Sequence, residues 1–470
     1  MRFSAAMTAE RLLPKWLAHR AEPVVTRIDA LISSDSGSGA AGRVTLYAFL
    51  VRIANAVIAF ASQVLLARWL GAFEYGIFVL VWVTMVIVGN LSCLGFHTSV
   101  IRFVPQYREA GKLAELRGIL LTSRLFVLLA SSAIAVAGAV GIWLFRGSIE
   151  SYYIVPFYLG VVCLPMVALS DLLQGIARAN AWASAALAPT YLIRPMLILV
   201  FMAGALALDY PPTALTAVLA AIAATYATTI YQLVNVTTRI DRKIEPGPRT
   251  VSLRFWIAVS LPIFLVESFF FLLTNADVLM VGMYLSPDDV AVYFATVKTL
   301  AIAHFVYFAV KAGVAQRYAH LAQEKDPGKL ARFARETVNW TFFPTLLMAV
   351  AILVIGNPML LLFGPGFDAG YPLLFVLILG VVARAAVGPA ESLLTMTGHQ
   401  NICAAAYAAT LALNIGLNVI LIPQFWLWGA AVATALAMTF EAAVLAFIVW
   451  RKQGIVMAVF LPASVTGEAD

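Results

Sequence analysis

The chain has 470 residues, 62% of them hydrophobic and only 12% charged. A soluble globular chain carries about 25% charged residues, so a mean hydropathy of +0.91 excludes an ordinary soluble domain. The net charge of +7 is spread through short loops, which excludes a nucleic-acid-binding stripe. Lipid cannot satisfy exposed backbone groups, so spanning elements must be helices or a closed barrel. The long, continuous apolar runs predict helices, because a barrel would show short alternating segments.

Residues 1–44 are polar, with Arg2, Arg11, Lys15, Arg20, Arg27 and Arg43, and read as a cytoplasmic arm. Residues 9–19 have a weak pattern for an amphipathic helix on the membrane surface. The arm lacks an apolar core of about 7–15 residues, so no cleavable signal peptide is expected. Twelve apolar segments follow, at 45–67, 76–104, 118–145, 152–176, 182–207, 213–238, 254–283, 289–318, 337–363, 371–396, 401–424 and 427–450. Cys93, Cys163 and Cys403 lie inside apolar runs without metal or disulfide spacing and read as packing residues.

The loops between segments alternate in charge. One set holds Arg108, Lys112, Arg117, Arg239, Arg242, Lys243, Arg249, Arg317, Lys325, Lys329, Arg332, Arg335, Arg451 and Lys452. The other holds Glu74, Glu150, Asp209, Asp288, Asp289 and Asp368, with only Arg68 and Arg146 as cations. Positive loops stay in the cytoplasm, which predicts that both termini are inside.

The chain repeats itself. LGAFEYG at 70–76 stands against LSPDDVA at 285–291, and GKLAELR at 111–117 against GKLARFA at 328–334. LLQGIARAN at 172–180 stands against LLTMTGHQN at 393–401, so the offsets are 215, 217 and 221 residues. Six segments per half is an even number, which gives a parallel repeat with a path between the halves. The expected fold is an all-α polytopic membrane protein of 12 transmembrane helices in two six-helix lobes around a central cavity. The expected parts are the arm 1–44, an N-lobe 45–238, a cytoplasmic linker 239–253, a C-lobe 254–450 and a cytoplasmic tail 451–470.

Ionisable residues inside the segments are costly and usually face a protein interior or a wet cavity. Glu267 lies about 14 residues into its segment, roughly 20 Å at helical rise. Lys298 lies at a similar depth in the next, so these two opposite charges are the first candidates for a functional centre or an ion pair. Arg194, Arg384 and Glu441 are placed at the same estimated midplane, and Arg52, Arg102, Arg124 and Lys311 nearer the inner side. Arg52 aligns with Glu267 at the offset of 215 and is expected to line the cavity or to pair with Asp171. Arg194 precedes Pro195, which should disturb its helix. Asp277 is expected to cap or brace the SPDD turn, and Glu441 to pair across the second lobe. His304 is either a proton carrier or simply hydrogen-bonded. Trp69, Tyr75, Trp82, Trp143, Tyr152 and Tyr153 read as an interfacial belt, with sugar stacking as the alternative. There is no Gly-rich phosphate loop with a following Lys, no metal-ligand cluster and no catalytic constellation. Neither an enzyme nor a cofactor or metal requirement is expected.

LARWLGAFEYGIFVLV at 66–81, IRFVPQYREAGKLAELRGIL at 101–120 and NADVLMVGMYLSPDDVAVYFATVK at 275–298 carry a resemblance. With them, the chain resembles the oligosaccharide flippase (Wzx-like polysaccharide transporter) family of the multidrug/oligosaccharidyl-lipid/polysaccharide exporter superfamily. The resemblance implies a multi-pass protein of the bacterial inner membrane that moves undecaprenyl-pyrophosphate-linked oligosaccharide by alternating access, for surface polysaccharide, exopolysaccharide, O-antigen or lipopolysaccharide synthesis. It implies lipid-linked oligosaccharide and membrane lipids as partners, a polysaccharide polymerase and chain-length proteins beside them, and a monomer. Twelve rather than fourteen segments argues against the peptidoglycan branch. A cavity for such a substrate would offer cations to the pyrophosphate, and the candidates are Arg52, Arg194, Lys298 and Arg384. Glu267, Glu441 and Asp277 are the coupling or ion-pair candidates. Lys298→Ala or Arg384→Ala is expected to abolish polysaccharide and leave expression intact. A cation-coupled multidrug antiporter would instead want an acidic pocket, where the first lobe offers Asp171 against Arg52 and Arg194. A scaffold would need no midplane charge of either sign.

Overall fold

A computed structural model describes residues 37–324 and 326–460, with side chains from Ala56 onward except at Val266, Ala312, Gln316 and Pro327. The predicted surface helix at 9–19, Lys325, the end of the tail and the side chain of Arg52 lie outside the described residues. Two compact units divide the chain, Met1–Ala61 and Ser62–Asp470. Residues 37–61 of the first are helical, and the rest of this account concerns the second.

Helices make up nearly all of the described chain, and no β-strand forms among the described residues. In order they are α1 (Gly37–Ser92), α2 (Phe96–Glu109), α3 (Leu113–Phe145), α4 (Ser151–Ala179) and α5 (Ala183–Ala188). A π-turn at Pro189–Ile193 leads into α6 (Arg194–Ala207), followed by α7 (Ala214–Asp241). The second half holds α8 (Leu253–Leu273), α9 (Ala276–Tyr284), α10 (Pro287–Glu324), α11 (Pro327–Leu361), α12 (Tyr371–Val387), α13 (Ala390–Met396) and α14 (Gln400–Gln453). Among the described residues, ten helices are long and apolar enough to cross a bilayer. They stand in place of twelve separate segments because α1 and α14 each run through two predicted segments. Each bends once, at Gly71 (φ 76°) and at Trp426 (φ 55°).

Three predicted segments break instead. The second breaks at Gly95, whose φ of 80° favours glycine and whose Cβ would meet the Ser260 carbonyl oxygen at 2.4 Å. The seventh breaks between α8 and α9 at Thr274 and Asn275. The tenth breaks at Gly388 and Pro389, where the φ of 70° and the missing proline N–H end α12. Irregular backbone at membrane depth is tolerated where protein covers it. The residues next to each break, Phe96, Ala276 and Ala390, are buried. Pro189 and Pro195 flank the π-turn before Arg194, so the fifth segment is distorted one turn earlier than Pro195 alone predicts.

The repeat reappears as matched helix ends. At the end of α4 the Trp182 N–H donates to the Ala177 carbonyl, and at the end of α13 the His399 N–H donates to the Leu394 carbonyl. Each is a Schellman closure through a left-handed residue, Ala181 (φ 57°) in the first half and Gly398 (φ 84°) in the second. The matched motifs GKLAELR and GKLARFA both open helices, α3 and α11. Asp326 caps α11 by accepting from the Lys329 N–H, and that bond holds its exposed carboxyl below the usual range.

Helices α2 to α7 pack mainly on one another, as do α8 to α14, and α8 crosses onto α2. Polar contacts sort the loops into two ends. At one, Arg117 donates to the carbonyls of Glu245 and Pro248, Arg108 to Asn180, and Arg239 and Lys243 lie over Trp182. At the other, Glu74 accepts from the Ala214 N–H at 2.6 Å, and Phe73 packs on Tyr152. There Arg68 donates to the carbonyls of Leu361 and Leu362 at 2.9 and 2.6 Å. A carboxylate at the start of α7 and a guanidinium at the end of α11 each complement a helix dipole, worth about 0.3–1 kcal/mol apiece. The grouping matches the alternation of basic and acidic loops in the sequence.

Candidate functional site

Several places bring the first group of helices against the second, and two of them are aromatic. On the acidic-loop side, Tyr75 of α1 is fully buried, with its ring 6.3 Å from Phe294 of α10 and 6.2 Å from Phe367. On the other side, Trp256 of α8 donates to the hydroxyl of Tyr107 of α2 at 2.9 Å, and Phe255 packs on Phe103.

Lys298 lies one turn beyond Phe294 on the same face of α10, since residues four apart are neighbours on a helix. Its ammonium sits 4.7 Å over the Phe294 ring, and the side chain is exposed. The face that meets α1 therefore continues into an accessible lysine. Lys298 forms no ion pair among the described residues. Glu267 reaches the other way. One of its oxygens accepts from the Thr98 hydroxyl at 2.6 Å and lies 3.3 Å from His97 Nε2, both on the first turn of α2. Depth put Glu267 and Lys298 together in the sequence, but the helices turn them to different partners.

The second group encloses a network of charges. Arg384 of α12 contacts Glu441 of α14 at 3.0 Å, and the side chains are 6% and 1% exposed. Lys311 of α10 contacts Glu391 of α13 at 2.7 Å, and Tyr307, one turn before Lys311, donates to the other Glu391 oxygen. The Arg384 guanidinium lies 4.5 Å over the Tyr307 ring, which joins the two pairs. Phe270 of α8 covers the network, 4.9 Å from the Lys311 ammonium and 5.4 Å from the Tyr407 ring. Two cations and two carboxylates in contact cancel, which is what lets them be buried.

The first group contains a different arrangement. Arg194, released from the π-turn, is buried and donates to the Ser170 hydroxyl at 2.8 Å. Ser170 in turn bonds Gln232 at 3.1 Å and lies 3.4 Å from the Thr190 hydroxyl. Asp171 is near, but it accepts from Asn90, and Arg194 makes no ion pair among the described residues.

Family comparison resolves what kind of machine this is. A model described as "Polysaccharide biosynthesis protein" matches residues 41–315, more than half of the chain. The chain belongs to that family. A second model, MatE, matches residues 262–420. Among curated proteins none matches the sequence. Solved structures show the same fold at low identity. An inward-facing multidrug resistance MATE family transporter of the MOP superfamily superposes with a TM-score of 0.68 at 14% identity, covering 85% of this chain and 94% of the other. Lipid II flippase MurJ in an inward closed conformation gives 0.66 at 14% identity, covering 86% and 87%. A MOP superfamily transporter from Pyrococcus furiosus, whose binding pocket is described as reversed in polarity, gives 0.58 at 14% identity, covering 87% and 94%. The fold is therefore that of a MOP superfamily transporter or flippase.

In this family member, the predicted site residues scatter over distinct roles. Lys298 alone of the described candidate cations is accessible. Arg194 and Arg384 are each locked inside one group. Asp277 does not brace the SPDD turn. It accepts from Tyr293 at 3.1 Å and from the Val278 N–H, while Asp289 closes the turn through Ser286. The partner expected for Glu441 is Arg384. His304 Nε2 is buried and has no hydrogen-bond partner. Of the basic residues placed at the inner side, Arg102 is exposed, Arg124 donates to Thr237, and Lys311 is tied to Glu391. Of the aromatic belt, Tyr75 and Tyr153 are buried. Three residues escaped the sequence reading, namely His97, Thr98 and Glu391. Each follows a helix break, and the Gly-Pro pair at 388–389 was the available signal for the last.

Proposed function

We propose that this chain is a flippase for a lipid-linked oligosaccharide. Undecaprenyl pyrophosphate is the expected carrier, and the bacterial inner membrane the expected site. Lys298 is the observation that carries the reading: an accessible cation without an ion pair among the described residues, on the face of α10 that also meets α1. A pyrophosphate cannot cross hydrocarbon unaided, and a lysine acts as a point charge that replaces part of its hydration. Arg194 would supply fixed positive charge behind the path, while Arg384 is neutralised by Glu441. The end bearing the basic loops would face the cytoplasm, with both termini inside. The lobes would then rock around the head group while the lipid tail stays in the bilayer.

The test is flipping of a fluorescent polyprenyl-pyrophosphate oligosaccharide in proteoliposomes. Wild-type protein is expected to make the outer-leaflet substrate accessible, and Lys298→Ala to fail. Equal rates for the two would sink the assignment of Lys298. The second reading is a cation-coupled multidrug antiporter, favoured by the MatE match over 262–420 and by Glu267, a partly exposed carboxylate on the face of α8 that meets α2. Efflux of cationic dyes driven by a proton or sodium gradient, without flipping, would select it.

A further inference from the structure

The charge network in the second group is lopsided in one respect. Lys311 is 31% exposed and its partner Glu391 only 5%. The other cation, Arg384, is sealed against Glu441 and the Tyr307 ring. An incoming anion can therefore reach Lys311 but neither Arg384 nor the carboxylates. Lys311 also lies against α8, the helix that reaches α2. Its ammonium packs on Phe270, and Phe270 lies one turn from Glu267 on α8, the residue that reaches across to His97 and Thr98 of α2. To bind there, an anion must compete with Glu391.

Glu391 is built to hold its position. It follows the Gly388–Pro389 break, in the first turn of α13, where the helix dipole favours a carboxylate. Tyr307 fixes its second oxygen, and Ala390, Leu393 and Leu394 around it are buried. Lys311, by contrast, is a flexible stem with a rotatable ammonium. The mobile member of the pair is thus the cation, and the fixed member is the anion.

We propose that Glu391 is a resident counter-anion, holding Lys311 when the path is empty and yielding it to a phosphate-bearing group when the path is loaded. The ligand chemistry is a phosphate or pyrophosphate, and the extension to a lipid-linked head group rests on the flippase reading above. Glu391 then sets affinity as a positioning residue. It prevents Lys311 from holding the anion so tightly that release fails.

The test uses the full chain in lipid nanodiscs and two probes, inorganic pyrophosphate and a polyprenyl pyrophosphate. Glu391→Gln keeps an acceptor for Tyr307 and removes the competing charge. It is expected to bind inorganic pyrophosphate up to about fivefold more tightly than wild type, the ratio one moderate competing ion pair imposes. The double variant Lys311→Met/Glu391→Gln removes both charges, leaves no unpaired buried ion, and is expected to lose the gain. No tightening in Glu391→Gln, or an equal gain in the double variant, overturns the proposal. Tightening for inorganic pyrophosphate but not for the lipid-borne probe upholds the competition at Lys311 and removes the flippase reading instead.

Discussion

The two groups of helices keep a buried arginine in opposite ways. In the second, Arg384 touches Glu441, and a second pair, Lys311 and Glu391, closes the network. In the first, Arg194 rests on Ser170, which in turn bonds Gln232 and lies by Thr190, and all three are neutral. The helix order and the end-capping motifs are shared, so the backbone does not dictate the difference. A paired arginine presents no net charge to its surroundings, whereas one solvated by hydroxyls and amides keeps its positive field. The repeat has thus produced a neutral arginine network in one half and a positive arginine site in the other from a single plan.

The largest expected effect breaks the neutral half. Arg384→Leu leaves Glu441 buried and unpaired, which costs about 3–5 kcal/mol. Unfolding in detergent should show that loss, and Arg384→Met/Glu441→Leu should recover most of it. This moves the arginine away from the sequence-based expectation of intact expression with lost transport. Arg194→Leu is expected to cost less, about 1–3 kcal/mol, because Ser170 and Gln232 can still bond each other once the guanidinium is gone. If Arg194→Leu proved as damaging as Arg384→Leu, the contrast between the halves would be wrong. Ser170→Ala comes next. It removes one hydrogen bond to a buried charge and is expected to cost about as much as Arg194→Leu, about 1.5–3 kcal/mol, falling below it if Thr190 swings in. Its double cycle with Arg194→Leu should show coupling, since the two side chains are in contact.

Much of this was legible in the chain, and the misses have a common cause. Hydropathy located the segments because lipid demands about 20 apolar residues per crossing, and loop charge sorted their ends. The three helix breaks escaped because a long apolar window averages over Gly95, Asn275 and Gly388. Those breaks are where His97, Asp277 and Glu391 sit, so the most informative polar contacts lay at the least legible points. Position along a helix left direction open. Glu267 and Lys298 do lie well inside adjacent segments, yet rotation about a helix axis depends on which neighbours it packs against. Rise per residue gives height, and nothing in one helix's sequence says which partner will face a given side chain. Arg384 and Glu441 were both recognised as expensive, but their pairing needed the packing of α12 on α14.

The smallest effect on stability should come from the residue with the largest effect on transport. Lys298 belongs to neither buried network. It is exposed, its neighbour in contact is the Phe294 ring, and Asp277 is engaged by Tyr293. An accessible cation over an aromatic ring contributes about 0.5–1 kcal/mol, so Lys298→Met, which keeps most of the stem, should unfold within about 1 kcal/mol of wild type. The same change removes the accessible charge beside the α1–α10 contact, and flipping should fall to background. Lys298→Arg should restore part of it, because it keeps the charge while changing its geometry. Were Lys298→Met to unfold early, the lysine would be holding the two groups together, and the division between buried networks that stabilise and an open cation that binds would not stand.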